Sequence, residues 1–221
     1  GAMARHADIA RSAVVQQHYP VLASMAARMA NPQVRNQGTL GGNLAYGDPS
    51  TDPPGCLLAH GASVVVHGLG GEHRMPMHDF LVDYFTTALE STDILVAIEI
   101  PPPGSAAAGL YWRHLRTAAE HRPLVNVTFL CDREREVCRN PRLVVGASVP
   151  VAQRMRRAEE HLEGKVLTLE VAAEAAGLVT EEIEPISDLR GDGAYRRHVT
   201  GVVTKRAIAQ TWGLNWMEAS A

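Results

Sequence analysis

Residues 101–108 read Pro-Pro-Pro-Gly-Ser-Ala-Ala-Ala, and no other stretch restricts the fold so strongly. Each proline lacks a backbone N–H and locks φ, so neither a helix interior nor a ladder of strand hydrogen bonds runs through three in a row. The small residues that follow offer nothing to bury. The 221-residue chain is therefore expected to divide into two parts, 1–104 and 105–221. Hydrophobic residues at 46% and charged residues at 20% allow a proper core in each part and exclude a disordered chain. A net charge of −3 gives no electrostatic reason to expect nucleic acid. No apolar run approaches the roughly 20 residues that span a bilayer, and the N-terminus carries no signal-peptide block. Cys56, Cys131 and Cys138 suit free thiols in a reducing cytoplasm, although the latter two could face each other across a hairpin.

Periodicity separates the two parts. In the first, His6–Gln17 and Pro20–Ala30 are predicted helices, the second with Leu22, Met25, Ala26 and Met29 at helical spacing. Residues 56–61 predict a short helix. Ala62–His67 and Glu72–Met75 predict a hairpin about Gly68-Leu-Gly-Gly71, and Met77–Tyr84 a helix burying Phe80, Leu81 and Tyr84. Asp93–Ile100 is rich enough in Ile and Val to predict a strand buried on both faces. The second part predicts three antiparallel strands, at 111–118, 124–132 and 137–147, then helices at 151–162, 169–183 and 193–212. Thr168 is a natural N-cap, and Tyr195, Val199, Val202, Val203 and Ala207 mark a buried stripe. Strands followed by helices indicate an α+β fold class.

The chemistry is concentrated in Gln37–Asp52, where Gly38, Gly41, Gly42 and Gly47 stand among hydroxyl, amide and carboxylate side chains. Glycine permits positive φ and close approach of another molecule, and successive free N–H groups in such a loop can converge on an anion. Arg35 adds positive charge, while Asp48 and Asp52 offer acceptors for ribose or adenine hydrogens. This pattern suits a phosphorylated cofactor.

The segments 32–44 and Asp48-Pro-Ser-Thr-Asp52 resemble the second glycine element of the FAD-binding medium subunits of molybdenum hydroxylases, among them carbon monoxide and xanthine dehydrogenases. The resemblance continues through 93–101, Ala119–Val125, Ser187–Gly191 and Tyr195-Arg-Arg. It implies a mixed α/β FAD-binding subdomain followed by a three-stranded antiparallel sheet with a three-helix bundle. Carried over residue by residue, it assigns Thr39, Leu40, Gly41, Gly42 and Asn43 to the diphosphate and flavin loop. Asp48 and Asp52 match the acidic motif, Asp52 being the carboxylate turned to the cofactor, and Leu95 and Met29 match apolar positions near the flavin. His114 stands near the place where xanthine dehydrogenase relatives carry a lysine approaching the flavin; a mostly neutral imidazole would not supply that charge.

Intact relatives also carry an N-terminal subdomain with a Gly-Gly-Thr type element on the other side of the diphosphate. Nothing of that kind precedes the glycine element here, and Gly1-Ala2-Met3 reads equally as an expression scar or as native sequence. The implied partners are a molybdopterin-binding large subunit, a [2Fe–2S] small subunit and a separate N-terminal FAD segment. Electrons are expected to pass from iron–sulfur clusters through FAD to NAD⁺, a quinone or another acceptor, with no catalytic acid or base in this chain. The alternative is a docking module that binds no FAD by itself.

Other candidates are weaker. His67, His73 and His78 lack the cysteines or His-Glu-x-x-His spacing of a metal site, and no four-cysteine set exists for an iron–sulfur cluster. His121-Arg122-Pro123 could face a flavin or a partner subunit, or form a turn. The clusters Arg154, Arg156, Arg157 and Arg190, Arg196, Arg197 read as solvated helix faces.

Overall fold

A computed structural model describes residues 1–104 and 107–216; residues 105 and 106 of the proline-led boundary lie outside it. The first half begins with short helices α1 (His6–Arg11), α2 (Ala13–His18), α3 (Pro20–Arg28), α4 (Pro32–Gln37), α5 (Leu40–Tyr46) and α6 (Pro53–Ala59). Strands β1 (Ser63–Gly68) and β2 (Gly71–Pro76), helix α7 (Met77–Phe80), the small pair β3 (Leu81–Asp83) and β4 (Thr86–Thr87), and β5 (Ile94–Glu99) follow. The second half holds β6 (Ala107–His114), β7 (Val125–Glu134), β8 (Val137–Gly146), β9 (Gln153–Arg154), α8 (Arg156–Leu162), α9 (Leu169–Glu182) and α10 (Gly193–Thr211).

The α+β class holds, with local corrections. The helix expected over 6–17 is interrupted at Ser12, whose extended backbone ends α1 and whose hydroxyl accepts the Val15 N–H to cap α2. The helix expected over 77–84 stops at Phe80; Tyr84 is exposed, and Phe85, at a φ of +52°, turns the β3–β4 hairpin. The strand expected to be buried on both faces, β5, lies at the edge of a sheet ordered β2-β1-β5, with Ile94 and Val96 exposed on its outer face. The second sheet has four strands, β6-β7-β8-β9, because residues 153–154 pair with β8 before α8 begins.

That four-stranded sheet is covered on both sides. Val125, Val127, Phe129, Leu143 and Val145 point to the α8–α10 layer, while Tyr111 and Val144 join the core of the first half, with Leu130 packed against it. Alternation along a strand sends neighbours to opposite faces, so one sheet serves two cores. Helix α6 is buried throughout, as an all-apolar helix must be. On the face meeting the first half the sheet also buries polar residues, Asn126 and Thr128. Asn126 fits between Gly55 and Gly146, where a Cβ would lie 3.2 and 2.6 Å from its Oδ1.

The arginines depart most from expectation. In α10 the buried stripe runs through Arg196, Val199, Thr200, Val203, Thr204 and Ala207, and Tyr195 is exposed. Arg196 is 0% exposed. Its guanidinium donates to Leu124 O at 3.1 Å, Ala147 O at 2.8 Å and Asp188 Oδ1 at 2.7 Å. It therefore ties the end of β8 and the start of β7 to the helical layer. Burial pushes the Asp188 carboxyl up, but hydrogen bonds from Arg190 and Arg196 outweigh that and hold it at about 2. This stabilisation is present above the ordinary carboxylate range and is lost as pH falls through about 2. Removing the guanidinium takes away its bonds to the Leu124 and Ala147 carbonyls and leaves Asp188 with Arg190 alone. Arg196→Met is expected to cost about 3–5 kcal/mol in urea unfolding. Arg157→Met, which breaks only an exposed pair with Glu181, is expected to cost less than about 1 kcal/mol.

Candidate functional site

The glycine segment is the beginning of a helix rather than an open loop. Thr39 caps α5, its hydroxyl accepting the Gly42 N–H at 3.1 Å. The Asn43 N–H bonds Thr39 O at 3.0 Å, the Leu40 N–H bonds Ala4 O at 2.9 Å, and the Gly41 N–H bonds Ala2 O at 2.8 Å. The expectation of free N–H groups converging on an anion is thus corrected: residues 40–43 spend their donors inside the protein. Ala2 in turn donates its N–H to Val96 O at 2.8 Å, so the N-terminal segment is laid between β5 and α5. A Cβ on Gly41 would stand 2.5 Å from the Ala2 Cβ. Glycine is required there by the chain's own packing. Arg35 likewise turns inward, its Nη1 donating to Met29 O at 2.6 Å and Ala30 O at 3.1 Å.

The acidic motif points to the other half of the chain. Asp48 is buried; its Oδ1 accepts the Ser50 N–H at 2.9 Å and its Oδ2 lies 2.8 Å from Arg122 Nη1. Ser50 Oγ accepts Arg190 Nη2 at 2.6 Å, and Thr51 O accepts Asn126 Nδ2 at 3.0 Å. Asp52 is 2% exposed, accepts a hydrogen bond from the Tyr111 hydroxyl, and lies 3.5 Å from Arg113 Nε. Arg113 also donates to the Arg28 and His121 carbonyls, and Arg28 donates to Tyr111 O at 3.2 Å. Burial pushes the Asp52 carboxyl up to about 6, against the opposing pull of Arg113, Tyr111 and Arg28.

Strand periodicity explains what sequence reasoning missed. Tyr111 and Arg113 are two apart on β6 and face the first half together, whereas His114, the next residue along, turns to the opposite face, its Nε2 3.3 Å from the Tyr195 hydroxyl. Burial, helped by Arg206, lowers the His114 pKa. The only signal for Arg113 and Tyr111 was this i, i+2 spacing beside an acidic motif that needed partners. Arg122 and Arg190 fall within segments singled out by resemblance, without their roles being legible. Met29 is 5% exposed and packed in the first core. Leu95 is partly buried against the same core.

Residues 1–103 match the FAD binding domain in molybdopterin dehydrogenase, and residues 111–211 match the CO dehydrogenase flavoprotein C-terminal domain. The carbon monoxide dehydrogenase medium chain of Hydrogenophaga pseudoflava is 31% identical over 214 residues, covering 96% of this chain and 74% of that one. The chain belongs to the FAD-binding medium subunits of the molybdenum hydroxylase family. The nicotine 6-hydroxylase medium subunit of Paenarthrobacter nicotinovorans is 31% identical over 95% of this chain and 73% of its own length. Among solved structures, the H. pseudoflava carbon monoxide dehydrogenase superposes with a TM-score of 0.92 at 32% identity, covering 96% of this chain and 74% of that chain. Quinoline 2-oxidoreductase from Pseudomonas putida 86 gives a TM-score of 0.90 at 31% identity, over 96% and 74% of the two chains.

This medium subunit is a component of an oxidoreductase, and the cofactor of its family is FAD. The residues present fit that group in part. Gly42 is exposed and Thr39 and Asn43 are half-buried, so they line one accessible strip at the start of α5; Leu40, Gly41, Asp48, Asp52 and Met29 are buried.

Two measurements test this geometry. Gly41→Ala is expected to lose about 1–3 kcal/mol through the collision with Ala2, and Ala2→Gly in the same chain is expected to recover part of it, read as a coupling in a double-mutant cycle. For Asp52, the raised native pKa means that the folded chain holds its proton longer than the unfolded one as pH rises from about 4 to about 6. Stability from this group is therefore lost across that window and stays lower above it. Asp52→Asn cannot titrate, so the stability difference between variant and parent is expected to shift by on the order of 2–3 kcal/mol in the variant's favour between pH 4 and pH 7. Thermal melts across that range measure it.

Proposed function

We propose that this chain is the flavin-carrying electron-transfer subunit of a cytoplasmic molybdenum hydroxylase complex, divided near Pro101–Gly104 into a flavin-binding part and a C-terminal part. The observation that supports it is the accessible strip of Thr39, Gly42 and Asn43, presented by a helix whose other face is held by β5 and the N-terminal segment. Bound FAD accepts single electrons and can deliver a pair, and the protein's share is to bind and orient it. Thr39 and Asn43 supply side-chain hydrogen bonds. Gly42 keeps the strip flat, with no Cβ to hold a ligand away.

Asp48 and Asp52 act one step removed. Their bonds to Arg122, Ser50, Tyr111 and Arg113 fix the end of α5 and the start of α6 against the four-stranded sheet. Asn43 is held in the same network, since its Oδ1 accepts the Thr51 hydroxyl at 3.1 Å. His114, on the other face of that sheet, is left out of the proposed site. Leu95 backs β5 from the core side.

One side of the cofactor is thereby provided. Ile94 and Val96 are exposed on the outer face of β5, and Tyr46, the last residue of α5, and Phe85 are exposed with their rings in edge contact at 5.5 Å. A second FAD-binding segment closing on that surface would complete the site, as the resemblance to intact relatives implies. The partners proposed are a molybdopterin-binding large subunit and a [2Fe–2S] small subunit, in keeping with relatives named as medium chains or complex subunits. Electrons would enter from the iron–sulfur clusters and leave to NAD⁺, a quinone or another acceptor.

FAD titration, followed by flavin fluorescence and visible absorbance, tests this reading with the chain alone and with an N-terminal FAD segment added. Saturable binding that tightens with the segment is expected. Gly42→Leu is expected to weaken it at least about tenfold, or about 1.4 kcal/mol, with its melting temperature measured alongside, because a Cβ there would stand 2.8 Å from the Thr39 hydroxyl that caps α5. No binding in either arrangement would reject the proposal.

A further inference from the structure

A second concavity lies between the two halves, away from α5. It encloses about 440 Å³ and is lined by the α2–α3 corner, the end of α6, the proline run and β6–β8. None of its lining residues belongs to the strip at Thr39–Asn43 or to the Asp48–Asp52 motif. Its volume falls within the range of small-molecule sites. Its walls are stiff: Pro101, Pro102 and Pro103 form one side, and the Tyr19 hydroxyl pins them by donating to Pro101 O at 3.1 Å.

The polar groups in this cleft are few and differ in kind. His60 Nδ1 lies 2.8 Å from Cys56 O, so Nδ1 carries the hydrogen and Nε2 is an acceptor. Burial lowers the His60 pKa, and Arg142 adds to that effect against the Cys56 bond, so the ring is neutral at pH 7. Arg142 Nη1 donates to Ala59 O at 3.3 Å; among the described residues its other N–H groups have no hydrogen-bond partner. Asp132 supplies a second acceptor, already bonded to Asn140 Nδ2 at 2.9 Å. A guanidinium with free donors selects a carboxylate. A neutral imidazole and a carboxylate select an O–H or N–H donor, and flat proline and tyrosine walls select a planar ring.

We propose that this interdomain cleft binds a planar aromatic carboxylate bearing a ring hydroxyl or N–H, with the carboxylate on Arg142, the donor toward His60 and the ring against Tyr19 and the proline run. Such a ligand touches both halves and the proline run 101–103. It would therefore strengthen their contact and raise the stability of the whole chain by mass action.

Para-hydroxybenzoate is a suitable probe, titrated into the isotopically labelled full chain and followed by amide NMR. Saturable shifts are expected at Gly61, Gly109 and Asn140, with a rise in melting temperature. Benzoate, which lacks the donor, and phenol, which lacks the carboxylate, are each expected to bind at least about tenfold more weakly. Arg142→Gln is expected to weaken the hydroxybenzoate at least about tenfold and Arg142→Lys less, while the distant Arg157→Gln leaves it unchanged. Should Arg142→Gln fail to fold, the Lys variant and the ligand series decide. Shifts that do not saturate, equal affinity for phenol and the acid, or binding indifferent to both Arg142 variants would overturn the proposal. FAD affinity is measured in parallel, so failure here is separable from failure of the flavin reading.

Discussion

Asp52 is 2% exposed, and a carboxylate taken out of water costs several kcal/mol unless charge and hydrogen bonds replace its hydration. Here Tyr111 and Arg113 from β6 supply the replacement, and Arg28 from α3 fastens the backbone of the same strand. The first half of the chain thus cannot bury its own acidic residue without the sheet of the second half. The position of α6, and through Asp48 and Thr51 the end of α5, follows from that requirement. The balance is close, which is why the Asp52 carboxyl is left at about 6 rather than strongly depressed.

The same logic recurs on the far side of the sheet. Arg196 is the buried cation there, and Asp188 with the Leu124 and Ala147 carbonyls surrounds it. Between these two polar anchors the sheet contributes apolar residues to both cores. A β-sheet buried on both faces is usually read from continuous apolar strands. Here the face toward the first half carries Tyr111, Arg113, Asn126 and Thr128; the Tyr111 hydroxyl, the Arg113 guanidinium and the Asn126 Nδ2 find partners across the junction, while Asn126 Oδ1 and Thr128 Oγ1 are buried without one. Buried polar contacts of this kind contribute less to net stability than to the choice of one relative placement, because a shifted arrangement would leave charges unpaired.

In the half that matches the FAD-binding domain, burial divides the residues of the resembled site into two groups. Five of the residues that resemble a cofactor site, Leu40, Gly41, Asp48, Asp52 and Met29, are buried and build the ledge. Thr39, Gly42 and Asn43 form its accessible edge. The glycine pair illustrates the division within two residues: Gly41 is small because Ala2 crosses it, and Gly42 is exposed but has the Thr39 hydroxyl 2.8 Å from where a Cβ would stand. A sequence motif mixes the two roles because both require the same residue type.

Local signals were legible in the residues themselves. Pro20 at the first turn of α3, the Thr168 cap of α9 and the Gly68–Gly71 turn depend on φ, missing N–H groups and neighbouring hydrogen bonds, all of which act within a few residues; Pro32, which reads as a helix stop, instead opens α4. The resemblance carried by residues 32–52 and the later segments was legible too, and with it the family. Tertiary structure alone decided that the Leu40 and Gly41 N–H groups are already bonded to Ala4 and Ala2, that β5 is an edge, and that Arg196 is buried. It also decided that Asp52 pairs with Arg113. Each of these depends on a partner distant in sequence, and whether a donor, a face or a charge is free is a property of what folds against it, which no local pattern records.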